Sequence, residues 1–461
     1  MAKGESPVAR KYHIETFGCQ MNYHDTERMA GLLEESGYAP AASPADADVV
    51  VINTCSVREK AEDKLYHRLD ELDFHARETG RRPLVAVTGC VAQQEGEKLA
   101  TLGRPVDVIV GTQSVKRLPA LIEQARVGLT PTHNQQPATS NPLIDIDLHQ
   151  DVSFPLGVAR HADPVRAWVT IIEGCNDYCS YCVVPYTRGH ERMRRAADIL
   201  ADVRHAVDSG RVEIQLLGQI VNHYVAPDDP ACDFAALLEK VAAVPGVQRI
   251  RFASPHPRHT SERIIAAVRD IPQVCKHVHL PVQSGSTRIL SAMRRRHTRE
   301  QYLDLVNRLR EAIPNIALST DMIVGFPGET REDFEQTLSL LEAVRYHSIF
   351  SFKYSVRPNT LASKRMPDDV PEAEKTTRIM ELQAAQRDIQ LALLQSAVGS
   401  VEEVLADSVS RRRASEVSGR TSGNTIVNFP GGPELIGRLL PVRVTDAGPH
   451  SLRGELLAAA G

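Results

Sequence analysis

The sequence lacks any run approaching twenty uninterrupted apolar residues, so no part of it is suited to cross a membrane as a helix. It has no apolar segment behind the polar residues 1–11, which argues against a secretory signal and predicts a cytoplasmic protein. A basic surplus is missing too. The formal net charge is −4, which argues against a protein built to coat nucleic acid without specificity. In a reducing compartment the eight cysteines do not suit a disulfide framework, and metal or redox work fits them better.

What is present is a 461-residue chain with 42% hydrophobic and 24% charged residues, enough for two to four domains with sizeable cores. Cationic residues are concentrated in three short runs: Arg192, Arg194 and Arg195; Arg294, Arg295 and Arg296; Arg411, Arg412 and Arg413. Each run is either a solvated helix face or turn, or a local site for phosphate.

The first 125 or so residues repeat one pattern. Short β-prone runs at 13–17, 49–53 and 84–88 each end within two residues of a cysteine, namely Cys19, Cys55 and Cys90, and a helical pattern follows. A fourth apolar run lies at 106–110. Strands alternating with helices predict an open parallel α/β sheet, whose strand carboxyl ends share one edge. Three cysteines distant in sequence then converge there.

Residues 128–160, rich in Pro, Asn and Gln, read as a linker. A second alternation follows, with candidate strands at 167–172, 213–217, 249–253, 277–280, 317–323 and 348–353. It predicts a partial (β/α)6 barrel over residues 161–395, sealed by a long helix near 371–397. From 396 to 459, short strands at 398–405, 425–429, 438–445 and 451–457 are separated by Gly, Asn and Pro. They predict a small antiparallel β-barrel appended as a separate module.

Cys175, Cys179 and Cys182 are spaced by three and then two residues, directly after the first barrel strand. Thiolates suit iron–sulfur clusters and zinc, but a structural zinc site needs a fourth ligand, and none lies at a nearby spacing. Three thiolates on a four-iron cluster leave one iron able to bind a substrate or cofactor. Cys232 and Cys275 have no partner at ligand spacing and read as non-ligating.

The CxxxCxxC of Cys175 to Cys182, with the string running on to Gly189, resembles the radical S-adenosylmethionine enzymes and, among them, the methylthiotransferase family. The surroundings of Cys19, Cys55 and Cys90 resemble that family's N-terminal domain over residues 11–127, and the glycine-rich stretch from Gly419 to Phe429 resembles the TRAM RNA-binding barrel. The resemblance implies two [4Fe-4S] clusters. One, on Cys175, Cys179 and Cys182, binds S-adenosylmethionine and reductively cleaves it to a 5′-deoxyadenosyl radical. The other, on Cys19, Cys55 and Cys90, carries the sulfur to be inserted. Strand-end strings at Gly218 and Gln219, Ser254 and Gln283 are implied contacts for S-adenosylmethionine. The family's usual Asn is replaced by Ile220, which carries no role. Arg411, Arg412, Arg413 and Arg420 are implied RNA contacts, and Phe429 either stacks on a base or belongs to the core.

The string from Ser56 to Ala61 favours the branch that methylthiolates C2 of N6-isopentenyladenosine beside the anticodon, at position 37 of tRNA, using two S-adenosylmethionine molecules per turnover. The runner-up branches act on threonylcarbamoyladenosine of tRNA or on an aspartate of a ribosomal protein. A reading of another class is a non-catalytic iron–sulfur protein that binds RNA or carries electrons. Implied partners are tRNA, a flavodoxin- or ferredoxin-like reductant and a sulfur or cluster carrier, with the chain itself a monomer.

Overall fold

The computed structural model describes residues 9–56, 59–128, 142–147 and 154–457, and they form two compact units. The first runs to Ala162 and also includes Val183–His190; the second comprises Asp163–Cys182 and the chain from Glu191 onward.

In the first unit, six parallel strands among the described residues lie in the order Ala39–Pro40, Lys11–Phe17, Val49–Thr54, Leu84–Gly89, Val108–Val110 and Leu143–Asp145. The two central strands are buried at every position, as near-continuous Val and Ile runs require when helices cover both faces of a parallel sheet. Alternation then sorts the side chains. Val49, Val51 and Ala86 pack with Met29 and Leu33 of the helix Gln20–Glu35, whereas Val50, Ile52 and Val85 pack with Leu65 and Leu69 of the helix Glu59–Thr79. The stretch read as a linker contributes more than a tether. Leu143–Asp145 pairs with Val108–Val110, and Arg160 N and Ala162 N donate to the backbone and side chain of Glu27.

The second unit contains the expected six barrel strands. Arg166–Thr170, Glu213–Leu217 and Arg249–Phe252 form one parallel sheet, and His277–His279, Ala317–Val324 and Ser348–Lys353 form another; a bridge between Ile250 and Val274 lies between the two. Helices including Ala196–Asp208, Arg299–Ala312 and Arg331–Val344 cover the outside and share one apolar core with the strands. The long helix Glu372–Ser396 packs on Ser348–Lys353 and Arg331–Val344, as expected of a seal.

The C-terminal strands close into a five-stranded barrel among the described residues. One strand, Glu416–Thr421, was not legible in the sequence. Its composition is polar, and only Val417, Gly419 and Thr421 face inward. Phe429 is wholly buried, so of its two readings the core one holds. The small barrel has its own apolar core and lies in the same compact unit as the large barrel. Arg251 donates to the carbonyls of Thr421 (2.7 Å) and Ser422 (3.3 Å), Arg249 donates to the carbonyl of Glu403 (2.7 Å), and Lys276 N donates to Ser422 Oγ (2.7 Å). Ionic pairing organises this contact. Glu213 is completely buried and accepts from Arg251 Nε (3.0 Å) and Arg166 Nε. Burial alone would raise its pKa, but Arg251 and Arg166 outweigh that and hold the carboxyl at about 2.

Removing one member of a buried ionic group leaves the rest uncompensated. Glu213→Gln is therefore expected to destabilise the second unit by about 3–5 kcal/mol at neutral pH, read as a lower thermal midpoint. Because the folded pKa is depressed, the wild-type advantage should be complete above the unfolded carboxylate pKa of about 4.3 and shrink as pH falls towards 2.

Candidate functional site

In the first unit, the ends of three adjacent strands come into line. Phe17 pairs with Thr54, and Thr54 pairs with Gly89. Cys19 follows as the N-cap of the helix Gln20–Glu35, Cys55 comes directly after its strand, and Cys90 opens the helix Cys90–Thr101. The thiol of Cys55 is within hydrogen-bonding reach of both Cys19 and Cys90, so the convergence expected from the strand pattern is present. Gly89 makes the close approach possible. Its φ is +91°, and a Cβ there would stand 2.4 Å from Asn53 Oδ1 and 2.5 Å from the carbonyl oxygen of Thr54.

Two buried amides brace the trio. Asn22 Nδ2 donates to Asn53 Oδ1 (3.0 Å), Asn53 Nδ2 donates to the carbonyl of Asn22 (2.7 Å), and the Cys19 thiol donates to Asn22 Oδ1 (3.3 Å). Hydrogen bonding from Cys55 brings the Cys19 thiol down to about 6 and the Cys90 thiol to about 7, and nearby Arg188 adds to both effects. Cys55 moves in the opposite direction because its two thiol neighbours hold its proton. Thiols at helix N-termini beside a cation are poised to bind metal as thiolates. Among the described residues, no three His, Cys, Asp or Glu side chains converge as a single metal ion requires. A four-iron cluster takes each thiolate on a different iron, so the donor set fits a cluster.

In the second unit, Cys175, Cys179 and Cys182 lie in a loop between the short antiparallel pair Ile172–Glu173 and Arg192–Met193. Burial pushes the Cys175 thiol up to about 11. The loop is held from within and from neighbouring elements. Asp177 N donates to Cys175 Sγ (3.5 Å), Ser180 N donates to the carbonyl of Met293 (3.0 Å), and Ser180 Oγ donates to that of Ala292 (2.8 Å). Arg295, the central residue of one cationic run, is buried, and its Nη1 lies 3.6 Å from Cys179 Sγ. This arginine was visible in the sequence only as part of a charge run; nothing in the spacing marked it as facing a thiol.

Gly218, Gln219, Ser254 and Gln283 all lie just beyond the carboxyl ends of barrel strands. A Cβ on Gly218 would stand 3.2 Å from the Ile172 carbonyl oxygen, the amide oxygen of Gln219 is buried without a hydrogen-bond partner, and Ser254 (φ 59°) and Gln283 (φ 77°) adopt left-handed backbone. An unmet buried amide and strained strand ends are the marks of a wall that receives a ligand. Two histidines there were not singled out from the sequence. His256 and His297 are buried, each with its Nε2 unpartnered, and His256 lies 3.7 Å from Asp177 of the cysteine loop.

On the small barrel, Arg411, Arg412 and Arg413 form an exposed loop bordering a cavity of about 670 Å³ that Arg420, His450 and Arg453 also line. Arg420 is partly buried, with Nε 3.6 Å from Asp407. Cys232 lies in the short strand Asp229–Asp233, and both it and Cys275 are buried. Val57 and Arg58 of the string from Ser56 to Ala61 lie outside the described residues.

Three families match the chain in order: the uncharacterized protein family UPF0004 over residues 11–111, the radical SAM superfamily over residues 169–341, and the TRAM domain over residues 395–457. Solved structures agree on the fold. The radical S-adenosylmethionine methyltransferase TsrM from Kitasatospora setae, with cobalamin and a [4Fe-4S] cluster bound, superposes with a TM-score of 0.56 at 14% identity, covering 77% of this chain and 74% of that one. The cobalamin-dependent S-adenosylmethionine radical enzyme OxsB, with aqua-cobalamin and S-adenosylmethionine bound, gives 0.50 at 12% identity over 82% of this chain and 56% of its own. The chain is thus a radical SAM enzyme, and S-adenosylmethionine and [4Fe-4S] clusters are its cofactors. Two relatives extend along its whole length. The tRNA-2-methylthio-N(6)-dimethylallyladenosine synthase of Solibacter usitatus is 44% identical over 97% of this chain and 98% of the relative. That of Methylococcus capsulatus is 44% identical over 98% and 97%. The chain belongs to the tRNA-2-methylthio-N(6)-dimethylallyladenosine synthase family of methylthiotransferases.

Gly89→Ala is expected to cost more than about 1 kcal/mol, because it combines positive φ with backbone overlap. The same change displaces Cys90, so iron retained by the first unit should fall along with the urea midpoint.

Proposed function

We propose that this chain methylthiolates C2 of N6-isopentenyladenosine at position 37 of tRNA, with Cys175, Cys179 and Cys182 holding the cluster that binds S-adenosylmethionine and Cys19, Cys55 and Cys90 holding the cluster that supplies sulfur. The observation that carries this reading is the presence of two separate thiol trios, each at the carboxyl edge of its own parallel sheet, in one chain that ends in a cationic β-barrel. When bound, the clusters and S-adenosylmethionine supply an electron, a radical hydrogen abstractor, a methyl group and sulfur, chemistry that protein side chains lack.

The protein's part is binding, orientation and exclusion of water. Gly218, Gln219, Ser254 and Gln283 offer backbone and amide groups to S-adenosylmethionine; His256, whose Nδ1 accepts from Arg258 N, offers Nε2–H as a donor, and His297, whose Nδ1–H donates to the Arg295 carbonyl, offers Nε2 as an acceptor. Burial, with Arg295 adding to it, lowers both histidines, His297 to about 4, so each stays neutral at physiological pH. Arg411, Arg412 and Arg413, with Arg420 behind them, meet phosphates and set the RNA's position, while base choice belongs to the catalytic chamber. The domains run from 11 to 127, 161 to 395 and 396 to 459, with 128–160 between the first two. The partners are tRNA, a flavodoxin- or ferredoxin-like reductant and a sulfur or cluster carrier. The protein works as a monomer in the cytoplasm.

Replacing Cys175, Cys179 and Cys182 by Ala should halve bound iron and abolish release of 5′-deoxyadenosine from S-adenosylmethionine under dithionite. Replacing Cys19, Cys55 and Cys90 should also halve iron but leave that cleavage intact while abolishing methylthiolation of isopentenylated tRNA. If nucleoside analysis shows methylthiolated threonylcarbamoyladenosine instead, the substrate assignment fails; if the wild-type protein releases no 5′-deoxyadenosine, the catalytic reading fails.

Replacing Arg411, Arg412 and Arg413 by Ala should weaken tRNA binding and flatten its salt dependence by about one unit of slope for each lost phosphate contact. Filter binding from 50 to 200 mM salt measures it.

A further inference from the structure

The segment Val183–His190 comes directly after Cys182 in sequence, yet it folds with the N-terminal unit. It brings in Arg188. The side chain is buried, and Nη2 donates to Asp25 Oδ2 at 2.8 Å. Asp25 is itself buried on the helix that Cys19 caps, and it lies 4.0 Å from Arg28. The backbone is pinned as well. Gln113 Nε2 donates to the Arg188 carbonyl at 3.1 Å, Thr112 Oγ1 donates to that of Thr187, and Arg188 N donates to the carbonyl of Val184 at 2.8 Å. The guanidinium is thus a fixed, desolvated positive charge, tied through Asp25 to the helix that Cys19 caps and carried at the end of the short helix Val184–Thr187, which packs on the helix that Cys90 opens.

A purely structural ion pair is a weak explanation for this arrangement. Burying a guanidinium and a carboxylate costs about as much as their attraction returns, and an apolar pair of similar volume would stabilise the fold as well. What an apolar pair could not provide is charge beside the thiols. Net charge and hydrogen bonding around the sulfurs are the levers by which a protein sets the reduction potential of an iron–sulfur cluster.

We infer that Arg188 is a positioning residue of the N-terminal centre: its buried charge offsets the negative charge of the cluster held by Cys19, Cys55 and Cys90 and raises its reduction potential, with Asp25 holding the charge in place and partly offsetting it. A nearby positive charge favours the more negative, reduced cluster, so its removal must lower the potential and removal of Asp25 must raise it.

The inference rests on the reading of Cys19, Cys55 and Cys90 as ligands, and the test separates the two. Full-length protein with Cys175, Cys179 and Cys182 replaced by Ala keeps only the N-terminal centre, which is reconstituted anaerobically and titrated against potential with electron paramagnetic resonance as the readout. In that background Arg188→Met is expected to lower the ratio of reduced to oxidised centre at fixed potential about tenfold, a shift of about 59 mV for one electron. Arg188→Lys should recover most of the shift, and Asp25→Asn should move the potential the opposite way. If Arg188→Met fails to load iron while Arg188→Lys loads normally, the charge is again what matters, and the inference stands. Unchanged potentials at full iron content would overturn it, as would equal loss of iron from the Lys and Met variants. If the background protein with Arg188 intact holds no four-iron centre, the ligand assignment fails and the inference falls with it.

Discussion

A thiolate out of water needs positive charge or hydrogen-bond donors nearby, and both cysteine trios are built around that requirement. In the first unit the need is met by two helix N-termini, at Cys19 and Cys90, the first presenting the backbone N–H groups of Met21 and Asn22, and by Arg188. In the second it is met by the backbone N–H of Asp177 and the guanidinium of Arg295. Neither set of partners adjoins its cysteines in sequence throughout. Arg188 is ninety-eight positions beyond Cys90, and Arg295 is more than a hundred beyond Cys179. The chain must fold before the thiols meet these charges.

Much of this was legible in the sequence because it rests on local periodicity. The runs of Val and Ile at 49–53 and 84–88 become strands buried at every position, and a cysteine just past each strand end is placed at the shared edge by parallel topology alone. The strands 213–217 and 348–353 have the bounds that alternation and β-branched content suggested. Illegible features depend on long-range packing. The strand Glu416–Thr421 is polar and finds its place only through its neighbours in the closed barrel. Arg295 sits among two other arginines that share its local sequence but not its burial: Arg296 is half exposed. Only the turn that carries the run decides which of the three points at a sulfur. The polar stretch after residue 128 gave no sign that Leu143–Asp145 would extend a sheet, because a three-residue strand is too short to show a period.

The second unit divides its labour between the two ends of its barrel strands. At the carboxyl ends lie the cysteine loop, left-handed Ser254 and Gln283, and histidines with unmet ring nitrogens, all of which cost stability. Near the amino ends lie Arg166, Glu213 and Arg249, where every charge has a partner and the turn at Thr421 and Ser422 accepts from Arg251. Strain on one end is tolerable because the other end is closed, the usual separation of chemistry from stability in a barrel of parallel strands.

That closure changes what the small barrel does. Arg420 lies on the strand that leads into the turn at Thr421, its carbonyl accepts from Arg249, and its guanidinium faces both Asp407 and the cavity bordered by Arg411, Arg412 and Arg413. Asp407 also faces Arg166 of the first barrel strand, at 3.8 Å. Arg251 in turn shares Glu213 with the first barrel strand, whose carboxyl end leads to Cys175. Arg420, Asp407, Arg166, Glu213 and Arg251 thus form a continuous set of ion pairs and hydrogen bonds that ties the small barrel to the first barrel strand within one folded unit.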